Sequence, residues 1–190
     1  MLSISNDSDL DIGDRILAAA ASCVLDYGAD RVTLAEIARR AGVSRPTVYR
    51  RWPDTESIVS TLLTGHIADA VRQVRFDGDD RASLVKQVVT VAGQLRRDDL
   101  IMSVMRSDLP GESIAERLGA GRRFLLDGLA ARLSAAQRAG SVRAGDPVQL
   151  ATMILLIAQS TIQSADAVEP ILDDHALAAH LSHALNGYLS

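Results

Sequence analysis

A chain of 190 residues in which 47% are apolar can bury a sizeable core, as one domain or as two small ones, and with only 3% aromatic residues that core is built of Leu, Ile, Val and Ala. The single cysteine, Cys23, excludes an internal disulfide framework and fits a reducing compartment, so the expected location is the cytoplasm. The net charge of −4 conceals a local reversal: Arg31, Arg39, Arg40, Arg45, Arg50 and Arg51 stand against the one acid Glu36 between Arg31 and Trp52, a balance of +5 that leaves −9 for the rest.

The first ten residues hold no Lys or Arg and no long apolar run, so no secretory signal is expected. They are polar and acidic and predict a flexible arm over 1–10. The longest apolar stretch, near 153–158, falls far short of the roughly 20 residues of a membrane helix, and no membrane partner is expected. Strand signals are almost absent, while helical spacing and capping chemistry recur throughout. A first helix is predicted from about Asp14 to Tyr27, with Ile16, Ala20, Cys23 and Tyr27 on one side and Gly28 as its stop. Cys23 thereby reads as core, with a redox sensor as the alternative.

Two short helices follow. Thr33 and Glu36 have capping-box spacing, which starts the second helix at Leu34. Gly42 stands where the chain must turn sharply, and a left-handed conformation there is cheap only for glycine. Ser44 can cap a third helix, whose first turn tolerates Pro46. After Pro53 and Asp54, a fourth helix is predicted to about Phe76. The acidic loop 77–80 is the clearest boundary. Beyond it come helices over about 81–97, 100–107 and 114–139, the last opened by a Ser113/Glu116 capping box. Asp146, Pro147 and Gln149 then start an apolar helix to about 164, predicted to be buried on several sides. A final helix over 174–188 carries Leu177, Leu181, Leu185 and Tyr188 as a stripe.

Positive charge gathered on one small module of an acidic chain is presented to a polyanion, and nucleic acid is the first candidate. Val43 and Val48 fall on the side of the third helix that meets Leu34, Ile37 and Ala38, and Trp52 closes that core. The opposite side shows Arg45, Pro46, Thr47, Tyr49 and Arg50. Arg45 and Thr47 lie at the end of a recognition helix that approaches base edges. Arg45 can pair with guanine O6 and N7, and the methyl of Thr47 or the ring of Pro46 can touch a thymine methyl. Tyr49, Arg50 and Arg51 are assigned to phosphates. Thr33 caps its helix and sits where free backbone N–H groups meet a phosphate. Charge alone does not separate this reading from a solvated, arginine-rich hairpin on an ordinary bundle. The tight turn, the two short helices and the one-sided basic face favour DNA.

The segment from Asp14 to Leu63 resembles the N-terminal DNA-binding domain of the TetR family of transcriptional regulators. The likeness is carried by Tyr27-Gly28-Ala29, Val32-Thr33-Leu34-Ala35-Glu36-Ile37-Ala38, Ala41-Gly42-Val43-Ser44, Thr47-Val48-Tyr49, and Trp52-Pro53 followed by Glu56. It covers about a quarter of the chain. The later helices match in number, length and order only. One position departs: the family usually has a lysine at the start of the fourth helix, on a phosphate, where this chain has Thr55, so Arg50 or Arg51 is expected to supply that charge.

The resemblance implies an all-α protein, with a three-helix helix-turn-helix DNA-binding domain over 11–54, a connecting helix over 55–76, and an effector-binding and dimerisation domain over 77–190. It implies a homodimer on a palindromic operator of double-stranded DNA and a small-molecule effector that alters the spacing of the recognition helices. The last two helices are the dimerisation candidates, the alternative being that both pack within one chain. The pocket is expected among 81–160, lined by Met102, Met105, Phe124 and Met153, with Gln159 or Arg123 as polar handles. His180 and His183 share a helix face near His175, but no carboxylate or cysteine stands at matching spacing, and no metal is expected. No cofactor or catalytic motif is present. The reading is a ligand-responsive regulator, taken as a repressor and not an enzyme; the alternative is an all-α enzyme or carrier with an incidental basic head.

Overall fold

The computed structural model describes residues 5–75, 78–106 and 119–190, with side chains from Ile12 onward. Every regular element among them is an α-helix: α1 (Ser5–Tyr27), α2 (Leu34–Ala41), α3 (Arg45–Tyr49), α4 (Thr55–Gln73), α5 (Arg81–Arg96), α6 (Asp99–Met105), α7 (Gly119–Arg138), α8 (Pro147–Val168) and α9 (Asp174–Leu189). The all-α expectation holds. Helix α1 begins nine residues before the predicted Asp14, so most of the expected arm is helical. The Ser113/Glu116 start predicted for the long helix falls outside the described residues.

The chain falls into two compact units. The first holds α1, α2, α3, α4 as far as Gly65, and α6. Its core is Ile16, Ala20, Cys23 and Val24 of α1, Ile37 and Ala38 of α2, Val48 of α3, and Ile58, Val59 and Leu63 of α4, all essentially closed to solvent. Burial pushes the Cys23 thiol above its ordinary pKa, which keeps it protonated and unreactive, against a redox-sensor role. Helix α6, which the sequence groups with the later helices, packs on α1 and brings Leu100, Ile101, Met102 and Val104 into burial.

In the second unit α5 packs against α8 and α9. Local caps set the starts: Asp80 accepts from Ser83 N, Asp146 from Val148 N and Gln149 N, and Asp173 from Ala176 N. Arg143 closes the far end of α9, donating through Nε to Tyr188 O at 2.7 Å and through its backbone N to Leu189 O at 3.0 Å. The buried line of α9 is Leu181, Leu185 and Leu189; Tyr188 is only half-buried and lies under the Arg143 guanidinium. Arg132 of α7 braces the start of α5 through Gly78 O and Gln87.

Helix α8 corrects two expectations. It is long and apolar enough, by length and composition, to cross a membrane, because Val148, Leu150 and Ala151 precede 153–158 and Ile162, Ala165, Ala167 and Val168 follow it. It is also buried on one side rather than several. Leu150, Ala151, Ile154, Ala158, Ile162 and Ala165 are covered, as in a core helix, while Val148, Met153 and Leu156 stand 52%, 42% and 45% exposed.

Candidate nucleic-acid interface

The interface is built on caps that the sequence specifies within three residues. Thr33 takes an extended conformation (φ −125°) and its Oγ1 accepts from Glu36 N at 3.2 Å, which opens α2 at Leu34. The Glu36 carboxylate turns to Arg39, whose Nε and Nη2 donate to it at 2.8 and 2.6 Å and hold it below the usual carboxylate range. Gly42 ends α2 in the left-handed region (φ +65°), its N–H donating to Arg39 O, and Val43 N closes the turn on Ala38 O at 3.1 Å. Ser44 then caps α3, accepting from Thr47 N at 3.3 Å. Its hydroxyl also lies 2.7 Å from Thr47 Oγ1, a second role that the capping signal alone does not reveal.

Helix α3 is five residues long and contributes Val48 to the core. The expected outward face is present: Arg45, Pro46, Tyr49 and Arg50 are exposed, with Tyr49 at 53%, and Thr47 is half-buried. Thr33 is exposed across a shallow cleft of about 440 Å³ lined also by Glu36, Arg39, Val43 and Arg45. Arg51 departs from this group. It is half-buried, and a side chain at Gly13 would meet its Nη1 at 3.1 Å, so its guanidinium lies against α1. Trp52 closes the end as expected, donating from Nε1 to Thr61 Oγ1 at 3.1 Å. Thr55 opens α4, and Asp54 caps it by accepting from Ser57 N at 2.7 Å.

The six arginines therefore divide. Arg31, Arg39, Arg45 and Arg50 are exposed. Arg39 is held by Glu36, and Arg40 by α1: Nη1 donates to Ser22 Oγ at 2.7 Å and Asp26 Oδ2 at 2.5 Å, and Nη2 to Tyr27 OH at 3.0 Å. In return Arg15 of α1 donates to Ala41 O at 2.7 Å. The partners of Arg40 lie 13 to 18 residues away, beyond the reach of local spacing rules.

The expected pocket residues are less coherent. Met102, buried, and Met105, half-buried, lie on α6 in the first unit. Phe124, Met153, Gln159 and Arg123 lie in the second, where Phe124 is 45% and Met153 42% exposed, too open to line an enclosed cavity of a single chain. His175, His180 and His183 are exposed on α9, and among the described residues no three potential ligands converge on a metal position.

A family model described as bacterial regulatory proteins, tetR family, matches residues 16–62. Over all of both chains the sequence is 70% identical to an HTH-type transcriptional regulator of Mycobacterium tuberculosis (strain H37Rv). Among solved structures, the fold is similar to the fatty acid degradation regulator FadR from Bacillus halodurans, at TM-score 0.69 and 19% identity over 93% of this chain and 95% of that one. It is also similar to RolR in complex with resorcinol, at TM-score 0.71 and 18% identity over 97% and 90%.

Proposed function

Because the chain belongs to the TetR family and is a DNA-binding transcriptional regulator, we propose that it acts as a homodimeric repressor on a palindromic operator and is released by a small molecule. The outward face of α3 carries this reading. Arg45 pairs with a guanine edge, and Pro46 and Thr47 meet thymine methyls. Tyr49 and Arg50 hold phosphates, with Thr33 at the N-terminus of α2 holding another. Arg50 supplies the charge that Thr55 does not, since Arg51 is already engaged against α1. Such a protein works where the chromosome is, in the cytoplasm.

The dimer is supported by the open apolar side of α8. Val148, Met153 and Leu156 offer a surface that a two-fold partner covers with its own copy. Responsiveness to a ligand is supported by the RolR complex with resorcinol, a neighbour of the same fold. An effector shifts DNA affinity by the difference in its affinity for the two forms of the protein. In this reading the head spans 11–54, and α4 links it to the effector-binding region.

Selection of bound fragments from a random DNA pool tests the proposal. The expected product is a palindrome whose half-sites are about 10 bp apart or a multiple of that. Recovery of no enriched sequence, or of a single asymmetric half-site, refutes it.

A further inference from the structure

Helix α3 is too short to set its own direction. Its five residues contribute one fully buried side chain, Val48, and its course is inherited from α2 through the Gly42 turn. Whatever fixes α2 therefore aims the recognition helix. The last turn of α2 is tied to α1 from both directions: Arg15 reaches from α1 to Ala41 O, and Arg40 reaches from α2 to Ser22, Asp26 and Tyr27. The Arg40 guanidinium also lies 5.3 Å from the Tyr27 ring centroid and 3.9 Å from Glu36 Oε1, and its side chain is only 23% exposed.

We infer that Arg40 is a positioning residue for DNA recognition: it latches α2 to α1 and thereby sets the aim of α3, without touching DNA. A guanidinium presents its donors in a fixed fork, and here three of them are directed at three side chains of α1. Its charge is balanced by Asp26, as that of Arg39 is by Glu36, so these two arginines add little to the field that attracts DNA. Of the six arginines that distinguish the module, Arg31, Arg39, Arg45 and Arg50 are exposed, and of these Arg39 is paired with Glu36.

The test uses the full chain with Arg40→Met, which keeps the apolar stem over Tyr27 and removes the fork. Affinities for the selected operator and for a random duplex are measured over a salt series, at a temperature where circular dichroism shows the variant folded. A latch that only aims α3 predicts about a tenfold loss on the operator, equivalent to roughly one base contact. The random duplex should be bound as before, with the salt slope unchanged. A slope lower by about 0.9 per protomer, with matching loss on random DNA, marks a phosphate contact and overturns the inference. Unchanged affinity on both duplexes overturns it equally, because the contact is then merely structural. Should Arg40→Met fail to fold, Arg40→Lys carries the test. A phosphate contact tolerates the retained point charge, whereas the three-way fork is lost, so wild-type operator affinity in Arg40→Lys refutes the latch. The inference rests on the operator reading, whose own failure appears in the wild type, as no operator complex at all.

Discussion

The Gly42 turn joins α2 to the recognition helix α3, and its strain can be weighed. At φ +65° a residue with a Cβ carries about 1–2 kcal/mol of left-handed strain. The space is adequate, since the nearest atom to an added Cβ is Arg15 Nη2 at 3.5 Å, an ordinary contact. Gly42→Ala therefore costs backbone strain alone, partly offset by about 0.4–1 kcal/mol from the stiffer unfolded chain. The net loss is about 1 kcal/mol, which lowers Tm by about 2–4 °C in a chain of this length. Gly65 supplies the control. It lies inside α4 with no positive φ, and an added Cβ there meets nothing within 4 Å, so Gly65→Ala should gain about 0.5–1 kcal/mol. Urea unfolding at matched m-values reads both. Shifts of the same sign in the two variants, or a Gly42→Ala variant as stable as the wild type, would refute the argument.

Three further outcomes are expected. Arg45→Ala should weaken operator binding by about 1–3 kcal/mol and relax the preference at one base pair; equal loss on operator and random duplexes in gel shifts would remove Arg45 from base reading. Leu156→Glu places a charge on the open side of α8 and should give a folded monomer in sedimentation equilibrium, so a persisting dimer would move the interface elsewhere. The hydrogen bond from Ser83 N holds the Asp80 carboxyl below its ordinary value. Its stabilisation is then complete above the unfolded carboxyl pKa, near 4, and is lost as pH falls through the lower folded value. Asp80→Asn should flatten that acid limb in a series of thermal melts, and an unchanged limb would count against the cap.

The sequence discloses this fold where the determinants are local. Thr33, Ser44, Asp80 and Asp146 cap helices through side chains that reach two or three residues onward, and Gly42 turns the chain by its own conformation. The exposed face of α3 was legible for the same reason: Val48 must point inward, and the remaining positions follow. Periodicity chooses no face when apolar residues surround a helix, which is why the open side of α8 at Val148, Met153 and Leu156 is not read from the sequence. Long-range partners are equally silent in the sequence. Nothing near Arg40 announces Ser22 and Asp26, nothing near Arg51 announces Gly13, and α6 meets α1 across more than 70 residues.

Cys23 gives the first unit its own stopwatch. It is the chain's sole thiol, closed to solvent between α1 and the rest of the core. A thiol-specific reagent can reach it only when that core opens, so the labelling rate counts openings of this unit while the rest of the chain stays invisible to the reagent. The population of each head variant can thus be followed in the intact protein, without cutting the chain or adding a probe.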